Sequence, residues 1–211
     1  MTVGAYVLAI TDGPLPKRMR TTRSLHEIVV GGIHAVYERR QHLPDITDKM
    51  LRAQHKTVIE IARHGGAILP ARFGALLAKQ ELRSLLRSHR DELRRALDDV
   101  RDRVQMTTRV LGSVPERGPA TATSGRAYLE ERRRISRPAL PAAVEAFLAA
   151  VRPLAVRERR EPGAGGLVAA FYHLVNVADL PDFEQRVSEM AADNLIVTGP
   201  WPPFAFTPPL I

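Results

Sequence analysis

The first apolar run of the chain, Ala5–Ile10 (AYVLAI), is continuous and closed by Gly13, Pro14 and Pro16, the pattern of a buried strand. The segment after it, PLPKRMRTTR, has four basic residues and no acid. It reads as a solvated loop, with a phosphate or acidic-partner contact as the sharper alternative. His26–Val30 and Ile33–Glu38 flank Gly31-Gly32, and two apolar runs about a Gly pair predict a β-hairpin. Thr47–His64 then shows helical spacing: Leu51, Val58, Ile61 and Ala62 recur on one side, Thr47 or Asp48 caps the start, and Gly65-Gly66 ends it. Ala67–Leu69 is a short strand candidate before Pro70. Lys79–Val100 is the clearest helical region, with Leu82, Leu86, Leu93, Leu97 and Val100 near one face and alternating Arg and acid on the other. Val104–Leu111 predicts a strand.

Ser113–Gly125 (SVPERGPATATSG) lacks any apolar period and is rich in turn formers, so it marks a domain boundary. Beyond it Arg126–Ile135 and Ala142–Val151 read as helices, and Glu161–Gly166 as a turn. Leu167–Val177 (LVAAFYHLVNV) predicts a central strand, with a buried helix as its rival. Leu180–Ala192 predicts an amphipathic helix and Leu195–Val197 a last strand. The element order predicts an α+β protein of two domains: a ferredoxin-like variant over 1–112, and mixed helices and a small sheet with an extended C-terminal arm over 113–211.

Composition narrows the functions. The chain has 211 residues, 45% of them hydrophobic, and no cysteine, which excludes disulfides, thiolate metal sites and cysteine nucleophiles. No apolar run approaches the roughly 20 residues of a membrane-spanning helix. The N-terminus reads as a first strand rather than a signal peptide. The net charge of +8 is uneven: residues 1–161 carry a surplus of 12 positive charges, while residues 162–211 hold one Arg and five acids. The basic body and acidic tail are expected to attract each other, within a chain or between copies.

No catalytic constellation emerges. The seven histidines form no HExxH or other zinc spacing, and there is no GxSxG, Walker A or GxGxxG motif. Glu60 and His64 stand at i, i+4 as a surface contact, and His173, inside an apolar run, as a satisfied, partly buried histidine. No metal and no small-molecule substrate is expected. The basic charge suits RNA, so a basic ferredoxin-like RNA-binding module is the alternative reading, but aromatics are only 5% of the chain and no RNP-like pattern is present.

The end of the chain stands apart. Trp201, Phe204 and Phe206, three of the eleven aromatics, fall within six residues and are stiffened by Pro200, Pro202 and Pro203, with Gly199 allowing a turn. This describes a stiff apolar arm, either pinned across the protein's own core or offered to a partner.

These residues also carry a resemblance. Val197–Phe206 (VTGPWPPFAF) resembles the GPWPPYSF-type ending of the GvpL/GvpF gas vesicle proteins, with Phe204 where Tyr is common. Leu69–Leu77 (LPARFGALL) resembles that family's LPxRFG segment, matching Arg72, Phe73 and Gly74. Gly125–Arg133 (GRAYLEERR) resembles its GxxYL segment through Tyr128 and Leu129, and Phe171–Phe183 resembles its apolar strand followed by a helix. The resemblance implies a two-domain α+β accessory protein without enzyme activity or cofactor. It implies a protein of the gas vesicle and cytoplasm that binds the small hydrophobic shell protein GvpA and other gas vesicle accessory proteins during assembly. It also implies interaction roles for the matching residues, Gly199 to Phe204 and Phe206 among them.

Overall fold

The computed structural model describes residues 3–64, 66–112, 140–190 and 192–210. The Ser113–Gly125 boundary, the Arg126–Ile135 helix and the GRAYLEERR segment with Tyr128 and Leu129 lie outside the described residues. The fold is α+β, as the sequence predicts, with two antiparallel-rich sheets. By packing the chain divides into two compact units, Met1–Val104 together with Trp201–Ile211, and Gln105–Pro200.

In the first unit β1 (Gly4–Thr11) lies at the centre. It pairs antiparallel with β3 (Ile33–Arg40) on one side and with β4 (Ile68–Pro70) and β5 (Leu76–Leu77) on the other. β2 (His26–Val30) pairs with the outer edge of β3 through the Gly31-Gly32 turn, where both residues have positive φ (56° and 80°), the geometry of a type I′ hairpin. Helix α1 (Lys17–Thr22) joins β1 to β2, and helix α2 (Asp48–Ala62) joins β3 to β4. A βαββαβ order with strands arranged β2-β3-β1-β4 is the ferredoxin-like arrangement.

β1 is apolar from Ala5 to Ile10 because both faces of this sheet are covered. Tyr6 and Leu8 face α2, in a cluster with Val36, Val58, Ile61 and Ile68. Val7 and Ile10 pair with Tyr37 and Ala35 on the opposite face, on the side of helices α3 (Lys79–Ser88) and α4 (Arg90–Val100). There Leu82, Leu86, Leu93 and Leu97 are buried, and Lys79 Nζ lies 6.0 Å from the Tyr37 ring.

The second unit has a four-stranded sheet in the order β7-β8-β6-β9, formed by β6 (Arg103–Leu111), β7 (Ala155–Pro162), β8 (Leu167–Asn176) and β9 (Leu195–Trp201). Helices α5 (Ala142–Val151) and α6 (Leu180–Glu189) pack on it. Val144, Phe147, Leu148 and Val151 of α5 meet Phe171 and Val175 of β8 and Phe183 of α6 in one core. Leu167–Asn176 is thus an interior strand, and the helix alternative falls away.

Several local expectations change. PLPKRMRTTR contains a helix rather than only a loop: Pro16 precedes α1, and Met19 is buried between Leu15 and Leu25 of the same cluster. The buried Glu27 carboxylate holds this turn, accepting from the Leu15 N–H at 2.8 Å and from Arg20 at 3.1 Å. The long helical region is two helices, broken at His89 (φ −106°, ψ 19°). Glu161 and Pro162 end strand β7 instead of opening the turn. β7 has no apolar alternation because it is a charged edge strand, a feature that also discourages unwanted strand pairing.

Candidate interaction site around the C-terminal arm

Helix α2 organises the candidate site. Thr47 Oγ1 accepts the Met50 N–H at 3.3 Å and starts the helix. The helical period turns Val58 and Ile61 inward and leaves Leu51 and His55, one turn apart, on a flank beside the core stripe. The His55 ring is clamped between two aromatics of the arm. Trp201 meets it edge-on, with centroids 5.1 Å apart and planes at 62°, and Phe204 stacks on it at 5.3 Å and 24°. Burial lowers the His55 pKa, which favours the neutral ring in this apolar setting.

The arm is extended only as far as Trp201, the last residue of β9. Phe204–Phe206 then forms a single 3₁₀ turn, in which the Phe206 N–H donates to Pro203 O at 3.0 Å and the Phe204 N–H to Pro202 O at 2.8 Å. Pro202, Pro203 and Phe206 are buried, and Phe204 packs against the Tyr6–Val58 cluster. Trp201 and Phe204 remain partly exposed. The arm is therefore both pinned and visible from outside. Pro200 is exposed and joined to Gly199 by a cis peptide. Gly199 has φ 140°, and a Cβ there would sit 2.6 Å from Met106 Sδ and 2.9 Å from Gln105 O, so strand β6 leaves no room for a side chain.

The LPARFG segment is held by the neighbouring residue of the same helix. Tyr6 Oη donates to Gln54 Oε1, Gln54 Nε2 donates to Ala71 O at 3.2 Å, and the Gly74 N–H donates to Tyr6 Oη at 3.4 Å. Phe73 meets the Tyr6 ring edge-on at 6.2 Å, and the Arg40 guanidinium lies 4.7 Å over that ring's centroid. Burial pushes the Tyr6 pKa up, which keeps its hydroxyl a donor. Arg72 is exposed. Gln54 and His55 thus tie LPARFG and the arm to one helix, all within the first unit.

Three exposed apolar side chains precede or begin helix α2. Leu43, Ile46 and Leu51 are 56%, 81% and 40% exposed. Ile46 and Leu51 occupy the positions just before the Thr47 cap and four residues into the helix, where a hydrophobic pair steers chain entry. Their exposure leaves apolar surface beyond what that local role uses. Sequence reasoning missed Gln54, His55, Ile46 and Leu51 as site residues. The helical period groups Leu51 with Val58, Ile61 and Ala62, yet Leu51 is 40% exposed and lies at the edge of that face, where the only sign in the sequence is an imidazole four residues on.

His64 Nδ1 lies 2.7 Å from the backbone oxygen of Glu60, while the Glu60 carboxylate pairs with Arg23. His173 is fully rather than partly buried. Among the described residues no group of three His, Asp or Glu could hold a metal ion, and no helix is long and apolar enough to cross a membrane. The sheet face that a ferredoxin-like RNA-binding module uses for base stacking lies under α3 and α4 here.

Comparison with known proteins agrees with the motifs. The family model for gas vesicle synthesis protein GvpL/GvpF matches residues 4–208. The crystal structure of the gas vesicle protein GvpF from Anabaena sp. PCC7120 superimposes with a TM-score of 0.76 at 16% identity, covering 98% of this chain and 97% of that one. The crystal structure of GvpF from Microcystis aeruginosa gives 0.72 at 15% identity, covering 97% and 99%. No curated protein sequence matches. The structural likenesses, at these identities, speak for the fold, and the family match spans nearly the whole chain. The chain belongs to the GvpL/GvpF family of gas vesicle proteins.

Proposed function

We propose that this family member acts in the cytoplasm as a non-enzymatic accessory protein of gas vesicle formation, binding the hydrophobic shell protein GvpA and fellow accessory proteins during assembly. The observation that carries the reading is the match over residues 4–208. The surface we assign is the α2 flank: Ile46 and Leu51 beside His55, with the outer faces of Trp201 and Phe204. A wall that excludes water is built from subunits with large apolar surfaces, which aggregate when free. A rigid apolar patch on a charged protein shields such a surface at little entropic cost, because its aromatics are already fixed.

The test separates folding from binding. The Ile46→Asp, Leu51→Asp double variant alters exposed side chains only, so its melting temperature is expected to stay near that of the parent. Its capture of GvpA in a pull-down, and vesicle yield in cells, are expected to fall by about tenfold or more. Undiminished capture by this variant would reject the α2 flank as the binding surface. Undiminished vesicle yield on deletion of the whole gene would reject the assembly role itself.

A further inference from the structure

The helix that replaces the expected basic loop creates a feature the proposed function does not use. Arg18, Met19 and Arg23 of α1 and its end, with Glu60, Arg63 and His64 at the close of α2, line a groove of about 400 Å³. Three guanidiniums face it against a single carboxylate, and that carboxylate is bonded to Arg23. Buried Met19 forms its floor. Glu27 and the surrounding cluster hold α1 in place, so these cations sit on a fixed framework. An acidic, elongated surface fits such a groove better than an apolar one.

The described structure offers one surface of that chemistry. Helix α6 exposes Asp182, Glu184 and Glu189, and its single base, Arg186, is paired with Glu189 at 3.1 Å. Asp182 and Glu189 are two turns apart on one flank, about 10 Å along the axis, and Phe183 anchors the opposite side in the core. The charge imbalance of the sequence therefore maps onto two defined surfaces: a basic groove in the first unit and an acidic helix in the second.

We propose that the α1–α2 groove receives helix α6 of a second copy of this chain. Each copy carries one groove and one acidic helix, and the exchange, made reciprocally, joins two copies as a pair. The contact is electrostatic, which makes it reversible and salt-sensitive. It leaves the apolar α2 flank unclaimed for a different partner.

The test is sedimentation velocity on the intact protein. A dimer is expected at about 50 mM salt, weakening on the order of tenfold by about 500 mM. The Arg18→Glu, Arg63→Glu variant and the Asp182→Arg, Glu189→Arg variant are each expected to be monomers with native circular dichroism. Mixed together they restore a 1:1 dimer, since every contact then joins opposite charges. A parent protein that is monomeric at low salt overturns the proposal. So does self-association that either reversal leaves intact, or two folded variants that fail to pair when mixed. These outcomes are independent of GvpA capture, so this inference and the proposed function fail separately.

Discussion

Each unit holds a histidine between two aromatic rings, and the two settings differ instructively. His55 lies on a helix flank, clamped by Trp201 and Phe204, and remains partly exposed. His173 lies on the interior strand β8, between Phe171 (6.5 Å) and Phe183 (5.6 Å), with no exposed surface. Burial, helped by the Arg152 charge, pushes the His173 pKa down to about 4. Thr108 Oγ1 is 3.4 Å from its Nε2, while Nδ1 lacks a hydrogen bond and sits 3.5 Å from the Glu158 carboxylate. The same ring serves two ends. In the second unit it fills a core and carries a titration penalty; in the first it is a platform on which a distant segment docks.

The comparison breaks first at the core. Phe183→Ala removes a fully buried ring and is expected to cost about 3–5 kcal/mol, measured by chemical denaturation. Retention of parental stability would mean that the His173 cluster is loosely packed.

The titration comes next. An unfolded His binds its proton near pH 6.5, whereas folded His173 binds it only near pH 4. Between those values the unfolded chain holds more protons, so stability falls as pH drops from about 6.5 to about 4, by about 3 kcal/mol in total. His173→Gln is expected to flatten that part of the pH–stability curve relative to the parent. Parallel curves for the two proteins would show that His173 does not set the acid limit.

Docking is the smaller effect. Trp201→Ala is expected to cost about 2 kcal/mol, and His55→Ala about 1 kcal/mol, the scale of lost ring stacking. A double variant should lose less than the sum of the two, because each substitution removes the same contact. Strict additivity would separate the arm from His55.

What the sequence made legible follows the same contrast. Strands such as Ala5–Ile10 and Leu167–Asn176 were readable because burial on an interior strand leaves an unbroken apolar run. α2 announced itself through the Thr47 cap and its apolar period. α1 did not, since a six-residue helix held to the core through Met19 has no period to detect. β7 was silent because an edge strand reading Val-Arg-Glu-Arg-Arg-Glu resembles a charged helix surface. The arm's aromatic character was plain, but its seat on His55 joins residues almost 150 positions apart, and no local pattern encodes such a contact. The motif marked the family more clearly than it marked the place where the arm rests.

That seat has a consequence for how the protein is made. Trp201–Ile211 belongs to the first unit, although residues 105–200 come between. A ribosome adding roughly 5–20 residues per second finishes the ferredoxin-like strands seconds before it delivers their last packing partners. During that interval the α2 flank lacks its Trp201 and Phe204 cover, and the cluster of Tyr6, Leu8 and Val58 lacks one of its walls. The nascent first unit is an unfinished shell with an apolar opening, closed only when the later half of the chain has emerged.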